Sequence, residues 1–182
     1  MSAPVVPHDI RQVFEGRVFR VVVERITLPK GQTVDMEIVR HPGSVVLIPV
    51  MDDGRLMLVR QYRHAIGRWV WELPAGTLKA GEEFATAAAR ECQEEISLIP
   101  GKLEQLSGLY PTPGYCDEEM VYFLATNLRT PGPNDPVLPP DEDEDIECRP
   151  FSLDEIQTLM DRGEVVDMKT VAGLTVLAAS RR

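Results

Sequence analysis

The chain has 182 residues, 43% hydrophobic and 26% charged, a globular balance that argues against wholesale disorder and fibrous classes. Its 19 Lys and Arg face 29 Asp and Glu, a net charge of −10, so general attraction to nucleic acid or an anionic membrane is not expected. The length fits one domain, with room for a small appendage and a core that needs no staples. Cys92, Cys116 and Cys148 cannot all pair internally and form no CxxC, which points to a reducing, cytoplasmic compartment. The first residues, MSAPVVPHDIRQ, do not read as a signal peptide, and no run approaches the roughly 18 apolar residues of a membrane span.

Taken in chain order, residues 17–28 (RVFRVVVERITL) are valine-rich and predict a strand. Residues 33–40 (TVDMEIVR) alternate with period two and predict another, joined through a Pro29–Gln32 turn with Pro and Gly at its centre. His41-Pro42-Gly43 breaks the chain. Residues 45–50 and 56–63 predict a second strand pair around Asp52-Asp53-Gly54, and Trp69–Leu73 a short strand ending at Pro74. Residues 82–96, after Gly81, are the clearest helix. Residues 103–109 and 120–126 predict strands flanking the loop Tyr110–Glu119. The proline-rich stretch 130–145, with acids at 141–145, predicts a solvated loop. A last strand at 146–151 precedes a helix over 152–161, capped by Ser152 with Glu155, and a final helix over 167–180. Many antiparallel strands around one central helix predict an α+β sandwich rather than a regular βαβ array.

The central helix carries the chemistry. At roughly 100° per residue, Glu95 falls within about 40° of Glu91 and Glu94 about 60° to the other side. Phe84, Ala85, Ala88, Ala89, Cys92 and Ile96 lie to one side as an apolar face, with Ala87 on the acidic stripe. Like charges at these spacings each cost a helix a few tenths of a kcal/mol, so something offsets them. Two readings stand at this point: a site for a hard divalent cation such as Mg²⁺, or a solvated acidic face partnered by Arg90.

From Gly76 to Leu98 the chain reads GTLKAGEEFATAAARECQEEISL. This resembles the Nudix box, GX5EX7REUXEEXGU with U aliphatic, at Gly76, Glu82, Arg90, Glu91, Glu94, Glu95 and Leu98. Cys92 replaces an aliphatic residue, a mild change because a buried free cysteine packs as a small hydrophobe. Ser97 replaces the glycine that closes the helix, predicting a slightly strained left-handed residue there. Arg60-Gln61-Tyr62-Arg63, Trp71–Gly76 and Pro113–Glu118 are similar to the ADP-ribose pyrophosphatase branch, and the likeness runs over about residues 17–178.

The resemblance implies a Nudix fold: a mixed sheet sandwiched between helices, a loop–helix–loop box, and an antiparallel β extension. It divides the chain into a dimerising extension, residues 1–42, and a hydrolase domain, residues 43–182, with a homodimer as the assembly. It implies Glu91, Glu94, Glu95 and the Ala75 carbonyl as Mg²⁺ ligands, Mn²⁺ being able to substitute, with Glu82 a further ligand or oriented by Arg90. Glu118 matches a loop glutamate that acts as base or orients water, with Glu94 and Glu95 the other catalytic candidates. Arg63 matches a diphosphate-contacting arginine, a surface salt bridge being its alternative; Arg40 matches more loosely, and Glu72 joins them as a substrate contact. The implied activity is hydrolysis of ADP-ribose to AMP and ribose 5-phosphate. The alternatives are another nucleoside diphosphate sugar, such as GDP-mannose or ADP-glucose, or a catalytically silent nucleotide-binding module. His8, His41 and His64 are scattered and do not read as metal ligands, and Trp69 and Trp71 read as core or interface packing. No GxSxG elbow or Walker loop is present.

Overall fold

The computed structural model describes residues 5–136, 138–139 and 145–180. Most of the acidic run, residues 141–144, lies outside the described residues. The chain forms two compact units: residues up to Gly43 together with Tyr110–Glu119, and Ser44–Leu109 together with Met120 onward.

The first unit is an antiparallel meander of β1 (Asp9–Glu15), β2 (Arg20–Thr27) and β3 (Thr33–Arg40), with β2 central. The β2–β3 turn runs Leu28–Gly31, closed by the Gly31 N–H donating to Leu28 O at 2.8 Å. Pro29 and Lys30 are therefore its central residues, and Gly31 follows them at φ 88° rather than sitting at the centre as the sequence suggested. Strand β1 was not anticipated, because all of its residues are exposed and leave no burial period to read. The loop Tyr110–Glu119 runs beside β3. The Val39 N–H donates to Tyr115 O at 2.7 Å and the Asp117 N–H to Val39 O at 3.1 Å.

In the second unit, β4 (Ser44–Pro49) is buried at every residue. It pairs antiparallel with β7 (Ala75–Thr77) and parallel with β9 (Met120–Arg129), which pairs with β8 (Ile99–Leu109), giving the order β7-β4-β9-β8. A separate antiparallel sheet holds β10 (Glu147–Phe151), β5 (Leu56–Arg63) and β6 (Arg68–Glu72), with β5 central. The expected pairing of 45–50 with 56–63 is thus limited to the bridge Val50–Leu56. The two segments enter different sheets, because a strand buried on both faces belongs at a sheet centre.

Among the described residues three α-helices complete the unit: α1 (Phe84–Ile96), α2 (Leu153–Asp161) and α3 (Met168–Ser180). Successive side chains of β4 divide between two cores. Val45 and Leu47 pack with Ala87, Ala88, Cys92 and Ile96 of α1, while Val46 and Ile48 pack with Ile156, Leu159 and Leu177 of α2 and α3. This is the expected α+β sandwich. Among the described residues no helix is long and apolar enough to cross a membrane. Burial pushes the Cys92 thiol up to about 12, so it stays neutral in the core. Ala85 and Ala89, assigned to the apolar face by the helical wheel, are exposed; Ala87 takes their place inside, beside Glu91 and Glu95. Trp71 lies in the core, edge-on to Phe151 at 4.8 Å, whereas Trp69 is exposed beside Tyr62 and Arg60.

At the end of α1, Ser97 adopts φ 55°, ψ 30°, and its N–H donates to Gln93 O at 3.0 Å. A side chain in this left-handed position costs about 1 kcal/mol, partly offset by the chain entropy that glycine would add to the unfolded state. Ser97→Gly is therefore expected to raise the urea midpoint, by up to about 1 kcal/mol of stability, while Ser97→Val lowers it. A fall in midpoint for Ser97→Gly would show that the position carries no net strain.

Candidate active site

Strand β4 fixes the entry to α1. Val45 stands opposite Gly76 and Val46 opposite Ala75, and the Leu47 N–H reaches Pro74 O at 2.8 Å. On the next layer, the Ala75 N–H donates to Glu95 Oε2 at 2.9 Å, tying β7 to the helix. Gly76 then has a steric role: a Cβ built on it would lie 1.9 Å from the Glu91 carboxylate. The missing side chain is the space that Glu91 occupies.

Arg90 gathers the acids. Its Nε and Nη2 donate to the two oxygens of Glu82, each at 2.9 Å. Its Nη1 donates to Glu91 Oε1 at 2.5 Å and Glu94 Oε2 at 2.6 Å, and Nη2 also reaches Thr77 O at 3.2 Å. Lys79 Nζ lies 3.7 Å from Glu94. The Arg90 hydrogen bonds hold the Glu82 carboxyl down at about 2, and the same acids push the Arg90 pKa up. Glu91 and Glu95 are 7% and 4% exposed, so the acidic stripe is not a solvated face, although Arg90 is its partner.

Among the described residues, no three His, Cys, Asp or Glu side chains converge as a ready-made metal site. Arg90 Nη1 instead draws Glu91 and Glu94 to itself. The donor chemistry nevertheless suits a hard divalent cation, with carboxylate oxygens backed by the main chain of Ala75 and Gly76 and a glycine that leaves room for one of them.

Arg63 and Glu72 face each other across β5 and β6. The guanidinium donates Nε to Glu72 Oε1 at 2.9 Å and Nη2 to Oε2 at 2.5 Å. Glu72 is 1% exposed, and Lys169 Nζ donates to its Oε2 as well. Burial would raise the Glu72 pKa; the hydrogen bond from Arg63 and the Lys169 charge more than reverse this. Glu72 is thus enclosed by two cations, while the Arg63 side chain stays 41% exposed.

In the first unit, Arg40 donates to Asp117 Oδ2 at 2.9 Å and also to Glu24. Asp117 Oδ1 accepts the His41 N–H at 2.8 Å. Burial alone would raise the Asp117 pKa; Arg40 and the His41 N–H hold it below the ordinary carboxylate range. Glu118 Oε1 stands 3.8 Å from His41 Nδ1, which accepts the Gly43 N–H at 3.1 Å. Asp117 is therefore committed to anchoring the loop. An open cavity of about 340 Å³ is lined by Ile38, Arg40, Tyr110, Pro113 and Tyr115.

The structure thus gathers Glu82, Glu91 and Glu94 on Arg90, joins Ala75 to Glu95 and pairs Arg63 with Glu72. It places Arg40 and Glu118 in the other unit. Sequence reasoning weighed His41 only as a metal ligand, and it did not single out Lys169. The available signal for Lys169 was slight: it is the only charged residue of α3.

A family model described as the NUDIX domain matches residues 40–171. The chain is 36% identical over 166 residues to the ADP-ribose pyrophosphatase of Bacillus subtilis (strain 168), covering 91% of this chain and 88% of that protein. It is 34% identical over 166 residues to the methanol dehydrogenase activator of Bacillus methanolicus, with the same coverage of 91% and 88%. The crystal structure of an ADP compounds hydrolase superposes with a TM-score of 0.81 over 97% of this chain and 94% of that one, at 21% identity, a likeness of fold. Nudix hydrolases in general need a divalent metal ion. With the family model matched along residues 40–171 and a 36% identical relative along 91% of its length, this chain belongs to the Nudix family and is a Nudix hydrolase.

Proposed function

We propose that the chain hydrolyses the diphosphate bond of ADP-ribose to AMP and ribose 5-phosphate, with Mg²⁺ as its cation and Mn²⁺ able to replace it. The observation that carries this reading is the Glu91 carboxylate lodged in the space left by Gly76, beside buried Glu95, on a chain 36% identical to an ADP-ribose pyrophosphatase.

The Ala75 carbonyl, Glu91, Glu94 and Glu95 would hold the cation, with Glu82, oriented by Arg90, as a further ligand or a support behind the ligands. When bound, such a cation neutralises diphosphate charge and makes a water more acidic. Arg90 holds the acids at short range and offsets their repulsion before any cation arrives. Water adds to one phosphorus, its proton passes to a carboxylate, and the phosphoanhydride bond breaks with its electron pair leaving on the other phosphate. Glu118 is assigned as that base, with Glu94 and Glu95 orienting the water. The commitment of Asp117 to Arg40 and the His41 N–H favours Glu118 among the loop acids. Arg63 and Arg40 contact the diphosphate; Glu72, expected as a further substrate contact, is buried against Arg63 and Lys169 and acts through Arg63 instead.

Residues 1–42 are assigned as a dimerising extension of a hydrolase domain, residues 43–182. The exposed Ile10, Val13, Phe14, Val18 and Phe19 support a homodimer formed through it. A cytoplasmic location accords with three free cysteines.

The test is incubation with Mg²⁺ and a panel of ADP-ribose, ADP-glucose and GDP-mannose, with chromatographic separation of products. Formation of AMP and ribose 5-phosphate from ADP-ribose at the highest kcat/KM is expected. Preferential cleavage of GDP-mannose or ADP-glucose would reassign the substrate, and binding without cleavage of any compound would overturn the catalytic reading.

Glu91→Gln and Glu95→Gln are each expected to lower kcat about 10²–10⁴-fold without lowering the urea midpoint, since each removes one charge from a repelling set. Gly76→Ala is expected to match them in activity at little cost in stability, because the group it displaces is the end of a flexible side chain. Wild-type turnover in all three at saturating Mg²⁺ would refute the ligand assignment.

Glu118→Gln is expected to depress kcat about 10²–10⁴-fold with little change in KM, as for a group acting only in the chemical step. Glu119→Gln serves as the neighbouring control and should be mild. Reversal of the two results would shift the base by one residue, and full activity in both would move it into the box.

A further inference from the structure

We infer that Lys169, in the first turn of α3, is a positioning residue for Arg63, which it orients by sharing the buried Glu72 carboxylate. The inference rests on the reading of Arg63 as a diphosphate contact. It concerns a residue outside the box and 97 positions from Glu72.

A carboxylate 1% exposed loses its hydration and is tolerated only when surrounded by compensating donors. Arg63 supplies two parallel hydrogen bonds along its Nε/Nη2 edge. That edge-on geometry fixes the guanidinium plane. Among the described residues Nη1 donates to no acceptor, so that end of the fork is available to an anion. The geometry holds only while Glu72 keeps its own orientation, and Oε2 is the shared atom: it accepts both Arg63 Nη2 and Lys169 Nζ.

Lys169 is itself held on every side. Its Nζ also donates to Asp167 Oδ2 at 2.9 Å, its side chain is 10% exposed, and its carbonyl accepts the Tyr122 hydroxyl at 3.1 Å. The next residue, Thr170, is fully buried, and its Oγ1 accepts the Leu73 N–H at 2.8 Å. One turn further on, Gly173 lets the helix close on the same segment: a Cβ there would lie 2.4 Å from Leu73 Cδ1. The helix is therefore fastened to Glu72-Leu73 by a charge, a hydrogen bond and a close approach. The four charges alternate in sign from Arg63 through Glu72 and Lys169 to Asp167. Removing Lys169 leaves Glu72 with a single cation, so the carboxylate turns or loosens, and Arg63 loses the support that aims Nη1.

The test is a double-mutant cycle on the full chain, reading kcat and KM for ADP-ribose and, separately, the affinity for a methylene-bridged, uncleavable ADP-ribose analogue without metal. Lys169→Met is expected to raise KM and weaken analogue binding about 10-fold, with kcat changed far less. Arg63→Ala should do the same, and the double variant should be no worse than Arg63→Ala alone. Lys169→Arg should restore part of the loss. Lys169→Gln replaces Lys169→Met if the latter does not fold, with the same expectation. If Arg63→Ala raises KM and weakens binding but Lys169→Met does neither, or if the two losses multiply, the positioning role is overturned. If Arg63→Ala itself leaves KM and analogue affinity unchanged, the failure lies in the reading of Arg63 as a diphosphate contact, and the inference about Lys169 falls with it.

Discussion

The candidate metal-binding end of the second unit depends on β4. Its six residues are all buried, and alternate side chains serve two different cores. A strand in that position has no freedom to slip by one residue, because a slip would exchange the cores that each side chain fills. The fixed register passes to β7 through Val45–Gly76 and Val46–Ala75, and from Ala75 to α1 through Glu95. The carboxylates therefore inherit their positions from apolar packing. The core thus sets the geometry of the most polar part of the unit.

Against that rigid frame the acids are held in tension. Three glutamates on adjacent turns repel one another, and two of them are buried, which makes the repulsion stronger than on a solvated helix. The Arg90 guanidinium offsets much of it, binding Glu82 edge-on and reaching Glu91 and Glu94 with its remaining nitrogen, and Lys79 stands beside Glu94. Arginine suits this task because its planar fork serves several carboxylates at once, where a lysine would offer a point charge. The repulsion is thus offset within the unit itself.

A second buried charge cluster lies across β5, β6 and α3, and it follows the same rule. Glu72 is sealed from water and exists there because Arg63 and Lys169 both reach it. Asp167 then balances Lys169 and accepts the Thr170 N–H at 3.1 Å, so one acid serves the charge chain and the helix start together. The C-terminal helix is in this way tied to the segment that leads into Gly76.

The sequence by itself determined the local features. The acid register of α1 and the capping box of Ser152 with Glu155 follow from spacings within a few residues. So does the strained Ser97 that closes α1, since a missing glycine at a helix end has one steric consequence. The likeness of the 76–98 segment to a known motif supplied the candidate ligands. Only the tertiary structure decided which strands meet: β4 joins β7 and β9 rather than its neighbour β5, and a uniformly apolar strand carries no period that names its partner. It also decided that Glu91 and Glu95 are buried while Ala85 and Ala89 are exposed, because a wheel orders side chains around an axis but does not say which sector faces the sheet. Last, it decided that Lys169 reaches Glu72 across 97 residues. A pairing between charges so distant in the chain is set by the approach of α3 to Leu73, just after β6, through Thr170 and Gly173, and has no spacing that a sequence could display.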